Sequence, residues 1–161
     1  MKEPRLCLLV RELLPLLTRP VFVHVVRDPH AVAASLVARD GMSADAALAL
    51  WEHYTRAAFE ASRGWPRLVV DYEALLADPL VAARALHAQL LQLGIEGLSL
   101  PSDEAVLAWI EPNPRLGAPA SAIVPMPAQQ ALQAAITDRR ILDETAPAAG
   151  GEPPGARAQA G

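Results

Sequence analysis

The pattern of apolar and polar positions predicts a helical chain that is interrupted by two short strands. Residues 21–26, Val-Phe-Val-His-Val-Val, form a short apolar run rich in β-branched residues, which is typical of a strand buried on both faces of a parallel sheet. Residues 67–70 predict a second strand. A long helical segment separates the two runs, which favours parallel pairing through a helical crossover. The pattern therefore indicates an α/β domain with a small parallel sheet.

Most of the other apolar residues recur three or four positions apart, as they do on one face of a helix. Gly41 and Gly94 suit the left-handed position that closes a helix, and Pro15 is expected to distort the end of the first helix. Ser43 and Ser102 are expected to cap two of the helices. The predicted helices cover residues 6–17, 29–40, 43–63, 72–78, 80–93, 104–110 and 129–136.

A strand-to-helix junction follows the first strand at Arg27, Asp28 and Pro29. Proline disfavours a helical conformation at the residue before it, aspartate is a good N-cap, and proline suits the first helical position. Arg27 is thus expected at the carboxyl end of a strand and beside a helix N-terminus, where open α/β sheets bind ligands. A guanidinium there predicts an anion site, most naturally for a phosphate. The hydroxyl of Ser35, within two turns of the helix start, can face the same anion.

Two motifs resemble elements of the sulfotransferase family, whose members use 3′-phosphoadenosine 5′-phosphosulfate as sulfo donor. Arg27-Asp28-Pro29, with Ser35 eight residues after the arginine, is similar to the family's 3′-phosphate-binding element. Residues 67–79, Arg-Leu-Val-Val-Asp-Tyr-Glu-Ala-Leu-Leu-Ala-Asp-Pro, resemble its next strand and its Tyr-Glu-x-Leu…Pro signature. The resemblance covers residues 2–93 and is weaker to residue 116.

The resemblance implies a partial P-loop-like, three-layer α/β/α domain that is helix-rich and has a short parallel sheet. It also implies transfer of a sulfo group from 3′-phosphoadenosine 5′-phosphosulfate, as co-substrate, to a hydroxyl or amine acceptor. Arg27 and Ser35 would bind the 3′-phosphate, and Tyr72 would lie near the adenosine. Each residue also has an ordinary interpretation, as a solvated arginine, a surface serine and a half-buried tyrosine. The functional interpretation is favoured because the two motifs occur together in family order.

Two parts of the family's machinery have no counterpart in the sequence. No glycine-rich strand-to-helix turn, which would hold the 5′-phosphosulfate, precedes Arg27. No catalytic base can be assigned, because Glu3, Glu12 and His24 occupy the relevant interval and His24 is expected in the core. We therefore expect an N-terminally incomplete domain over residues 1–136, with an exposed sheet edge or apolar face. Residues 137–161, rich in Ala, Gly and Pro, are predicted to be mostly disordered.

These gaps leave more than one function open. Whether the chain is an active enzyme is not decided by its sequence. The alternative to a sulfotransferase is a non-catalytic nucleotide-binding or interaction fragment of the same fold, and a third is a degenerate chain that folds poorly. Trp51 and Tyr54, at helical spacing, either line an acceptor pocket or belong to the core, which is the favoured interpretation. Arg115 is the one basic residue in the region that resembles the family's later phosphate contacts.

Composition excludes several other classes of function. The formal net charge of −4 argues against nonspecific nucleic-acid binding. Cys7 is the single cysteine, so neither an intramolecular disulfide nor a cysteine zinc site can form, and the four histidines lack metal-ligand spacing. The sequence contains no apolar run of a length that spans a membrane and no good signal peptide, so a cytoplasmic protein is expected. The sequence gives neither the acceptor nor the oligomeric state.

Overall fold

The computed structural model describes residues 5–110 and 123–143. These residues form eight α-helices and two strands, and most of the predicted elements are confirmed with ends that shift by one or two residues. Pro15 lies in a short 3₁₀ turn, Leu14–Leu16, that ends the first helix. The elements are α1 (Leu6–Leu13), β1 (Phe22–Val26), α2 (Pro29–Asp40), α3 (Ala44–Ala61), β2 (Arg67–Asp71), α4 (Tyr72–Ala77), α5 (Pro79–Gln92), α6 (Asp103–Trp109), α7 (Pro127–Thr137) and α8 (Arg140–Asp143).

Short polar side chains fix where the helices begin. In five helices the residue before the first turn accepts a hydrogen bond from the backbone N–H three residues later, which satisfies one of the free donors of that turn. Gly41 ends α2 in the left-handed conformation, with φ of 66°, as expected for a helix C-terminus. The capping residues are Asp28, Ser43, Asp71, Asp78 and Ser102.

The two strands pair in parallel, as predicted, and α2 and α3 form the connection between them. The register runs from Phe22 opposite Arg67 to Val26 opposite Asp71. Because both strands run in the same direction, their carboxyl ends coincide at one edge of the sheet. The residues that follow Val26 and Asp71 therefore leave the sheet side by side.

The main core lies between the sheet and two helices on one of its faces. It combines Trp51 and Phe59 of α3, Val69 of β2, and Leu132 and Ile136 of α7. Trp51 is 8% exposed and belongs to this core, which is the interpretation that the sequence favoured. A second, smaller cluster joins α2 to α3 through Ala33, Ala47 and Leu48.

The other face of β1 is open, contrary to the prediction of a strand buried on both faces. Val23 and Val25 are 40% and 58% exposed, whereas the alternate residues of β1 point toward α3. Helices α4 and α5 lie against β2. Within the described ranges β1 also has a strand partner along only one of its edges. Among the described residues, β1 thus has an exposed apolar face and an edge without a strand partner, as expected.

The segment predicted to be a disordered tail begins with an ordered helix in the structure. Helix α8 falls within the segment assigned to the tail, and its Ile141 and Leu142 pack against the main core. The rest of that segment, from residue 144, lies outside the described residues, so its disorder stays a prediction. Arg115 also lies outside the described residues.

Candidate anion-binding site

The strand register brings the two sequence motifs together. Arg27 follows Val26 and Tyr72 follows Asp71, and these two strand ends are paired. The guanidinium carbon of Arg27 lies 4.9 Å from the centre of the Tyr72 ring, which is a cation–π contact. Two of the three predicted site residues, from motifs far apart in the sequence, therefore meet at the carboxyl edge of the sheet.

Arg27 is largely buried and one of its donors is unused. Its side chain is 23% exposed, and its Nε is buried without a hydrogen-bond partner among the described residues. The nearest carboxylate is Glu73, whose Oε1 lies 3.7 Å from Nε. That distance gives an ion pair but is too long for a hydrogen bond. A buried N–H without an acceptor is destabilising, so this guanidinium is prepared to donate to an anion.

The start of α4 places Tyr72 and Glu73 beside Arg27. Asp71, the last residue of β2, caps α4 by accepting a hydrogen bond of 2.7 Å from the N–H of Ala74. This cap fixes the turn from strand to helix, so Tyr72 and Glu73 occupy the first two helical positions. Tyr72 is half-buried, whereas the Glu73 side chain is 46% exposed. No role for Glu73 was predicted from the sequence, although Glu73 follows Tyr72 directly in the Tyr-Glu-x-Leu motif.

The N-terminus of α2 offers less to an anion than its sequence suggests. Pro29, the first helical residue, has no N–H, and the N–H of Ala31 donates to the Asp28 carboxylate at 3.0 Å. The charge of Asp28 also offsets the positive end of the helix dipole. Anion binding at this edge would therefore depend mainly on Arg27.

Ser35 is not brought into the same contact. It is exposed in the second turn of α2, and in the described part of the chain it makes no hydrogen bond to Arg27 or Tyr72. Its part in phosphate binding stays a prediction.

His24 has the features of a core histidine, as expected from its strand position. Its ring stacks on Phe59 with centroids 4.3 Å apart, and its Nε2 lies 2.9 Å from Oγ of Ser62. Burial, helped by the positive charge of Arg67, lowers the pKa of His24 to about 4. The ring is therefore neutral at pH 7. Because the Ser62 hydroxyl donates its one proton to the Ala58 carbonyl, we infer that Nε2–H of His24 donates to the serine oxygen.

The His24–Ser62 pair does not form a nucleophile with its base. Ser62 is 0% exposed, and its hydroxyl donates to the carbonyl of Ala58 at 3.0 Å. No described carboxylate orients the other nitrogen of His24, as a catalytic triad would need. The contact with Ser62 could not be predicted from the sequence, because it joins residues of β1 and the end of α3.

A separate open groove lies between α3 and the C-terminal helices. It has a volume of about 480 Å³ and does not include Arg27 or Tyr72. Its arginines are already paired, Arg56 with Glu52 at 2.8 Å and Arg63 with Glu60. The groove therefore has little unpaired charge with which to hold an ionic ligand.

Metal and membrane sites find no support in the part of the chain that the structure describes. Within residues 5–110 and 123–143 no group of three or more His, Cys, Asp or Glu could hold a metal ion. In the same residues, no helix combines the length and the apolar character needed to cross a membrane. No known protein family, curated protein or solved structure matches this chain. Any functional assignment must therefore come from the residues themselves.

Proposed function

We propose that Arg27 and Tyr72 bind the 3′-phosphate and adenosine of a nucleotide, and that the chain is a sulfotransferase-like protein. Its reaction would transfer a sulfo group from 3′-phosphoadenosine 5′-phosphosulfate to a hydroxyl or amine. The observation that supports this best is the contact between the guanidinium of Arg27 and the ring of Tyr72. The two residues belong to two motifs that independently resemble the same family.

The chemistry of Arg27 suits a phosphate. A guanidinium presents several N–H donors in a fixed plane, and its hydrogen bonds to phosphate are charge-assisted. The buried Nε–H has no acceptor among the described residues, and a phosphate oxygen would supply one. The half-buried ring of Tyr72 would offer its remaining surface to the nucleoside.

This site would hold the end of the donor that does not react. Sulfo transfer requires charge stabilisation at the phosphosulfate and a base that takes the acceptor proton. Arg27 and Tyr72 would contribute binding and orientation, which are equal in the ground state and the transition state. His24 is excluded as the base because its ring points into the core. We assign no catalytic residue.

The proposed function implies a three-layer α/β/α fold of P-loop type and a cytoplasmic location. The parallel strands and the helices α3 and α7 on one sheet face are compatible with two of those layers. The second candidate function is a non-catalytic nucleotide-binding or interaction module. It is favoured by the open face of β1, where Val23 and Val25 are exposed.

The test of binding is calorimetric titration of adenosine 3′,5′-bisphosphate into the full chain. Arg27→Ala should weaken binding about tenfold to a hundredfold, because hydrogen bonds to charged groups contribute about 1.5–3 kcal/mol. Arg39→Ala is the matched control, since Arg39 lies exposed at the far end of α2 and pairs with Asp40. Unchanged binding by Arg27→Ala would disprove the assignment of Arg27, and no binding by the folded chain would disprove the nucleotide site.

A second experiment separates the two candidate functions. The chain is incubated with 3′-phosphoadenosine 5′-phosphosulfate and a panel of alcohols, phenols and amines, and release of the bisphosphate is followed. Release that depends on an acceptor and on Arg27 would support the enzyme. Binding without release would favour the non-catalytic module.

A further inference from the structure

Glu73 lies at the position that an anion would take beside Arg27. Its Oε1 is 3.7 Å from Nε of Arg27, the buried nitrogen that has no hydrogen-bond partner among the described residues. The carboxylate partly neutralises the guanidinium but does not satisfy its donor. Arg27 is therefore flanked by the ring of Tyr72 and by a loosely held negative charge.

The two side chains of this ion pair differ in exposure and in the contacts that hold them. The Arg27 side chain is 23% exposed and is held against the Tyr72 ring, whereas the Glu73 side chain is 46% exposed. A half-exposed carboxylate keeps much of its hydration, and exposed ion pairs contribute little net free energy. Glu73 can thus leave Arg27 at small cost, while Arg27 stays in place.

We propose that Glu73 is an internal competitor for the anion that binds Arg27. In the ligand-free chain its carboxylate neutralises the guanidinium, and an incoming phosphate displaces it and accepts the Nε–H hydrogen bond. This inference rests on the proposed function, in which Arg27 binds a phosphate. It adds that the affinity of the site is limited by a residue of the chain itself, which favours release of the bound nucleotide.

The opposite role for Glu73 makes the opposite prediction. If Glu73 served to position Arg27, its removal would weaken nucleotide binding. If it competes, its removal strengthens binding. Loss of the competing ion pair, together with loss of the repulsion between Glu73 and a bound phosphate, should raise the affinity about threefold to tenfold, which is about 0.6–1.4 kcal/mol. The sign of the change therefore decides between the two roles.

The experiment compares Glu73→Gln with the wild-type chain by calorimetric titration of adenosine 3′,5′-bisphosphate. Glutamine keeps the size of the side chain and removes its charge. Glu104→Gln is the matched control, because Glu104 is likewise the second residue of a capped helix and lies in α6. This control measures the loss of a negative charge from a helix N-terminus. Glu73→Ala is the second variant.

We expect tighter binding by Glu73→Gln and Glu73→Ala, unchanged binding by Glu104→Gln, and no gain when Arg27→Ala is also present. Weaker or unchanged binding by both Glu73 variants, with binding still lost in Arg27→Ala, would overturn the competitor role and leave the proposed phosphate site intact. A gain that persists without Arg27 would also overturn it. If no variant binds the nucleotide, the competitor role and the proposed function both fail.

Discussion

Acid should destabilise this protein through His24. The folded-state pKa of His24 is about 4, compared with an ordinary value of 6.5. The unfolded chain therefore binds more protons between these two values, and the free energy of unfolding falls as the pH falls through this range. The stabilisation is complete above pH 6.5 and is lost progressively toward pH 4.

The size of the effect follows from the two pKa values. A group with a folded-state pKa of about 4 and an unfolded-state value of 6.5 loses about 2 kcal/mol of stabilisation between pH 7 and pH 5. Asp40 and Glu60 have lowered pKa values because of hydrogen bonds from Arg39 and Arg63, so their loss begins below the ordinary values of 3.8 and 4.5. The range from pH 7 to pH 5 therefore lies above the pH at which these two carboxylates lose their contribution.

The assay is urea unfolding followed by tryptophan fluorescence at pH 7, 6 and 5. His24→Phe should remove the pH dependence, because phenylalanine can keep the stacking on Phe59 and carries no proton. The substitution would remove only the hydrogen bond that Ser62 accepts from His24, since the Ser62 hydroxyl would still donate to the Ala58 carbonyl. His53→Gln, at an exposed position of α3, is the control and should leave the dependence unchanged. If the free energy of unfolding fell equally between pH 7 and pH 5 in the wild type and in His24→Phe, His24 would not be the cause of the pH dependence.

Two further predictions concern the fold. Asp28→Ala should lower the free energy of unfolding in urea by about 1 kcal/mol, because α2 loses its N-cap. Asp28→Asn should keep most of this stability, since asparagine is also a good N-cap. Equal losses in both variants would show that the cap is not the cause. Val25→Thr on the open face of β1 should change stability by less than about 0.5 kcal/mol, whereas Val69→Ala in the main core should cost about 2 kcal/mol. Similar costs at both positions would mean that the face of Val25 is covered in solution.

The local elements could be predicted from the sequence because short-range chemistry determines them. Asp28 with Pro29 starts α2, Gly41 ends it, and Pro15 closes the first helix. These effects act within one turn of a helix and leave a direct signature in the sequence. The sequence placed Arg27 and Tyr72 in one site only through the family resemblance, and the parallel register of the strands explains why they meet.

The features that the sequence did not predict depend on tertiary partners. An apolar run such as residues 21–26 has the same appearance whether one face or both faces are covered, so the exposure of Val23 and Val25 is visible only in the structure. The ion pair of Glu73 with Arg27 and the contact of His24 with Ser62 depend on how strand ends and helices pack. The motif shows that Glu73 follows Tyr72 in the sequence, but it does not show that Glu73 lies beside Arg27.

The edge of β1 that has no strand partner among the described residues also affects how readily the protein aggregates. Residues 22–26 contain neither proline nor a side chain that is charged at pH 7, given the low pKa of His24. Natural proteins usually place charges, prolines or bulges on such strands, because a bare strand is a template on which other chains can add in cross-β fashion. The folded protein should therefore aggregate at high concentration even when it does not unfold. A single lysine on β1 should reduce this aggregation.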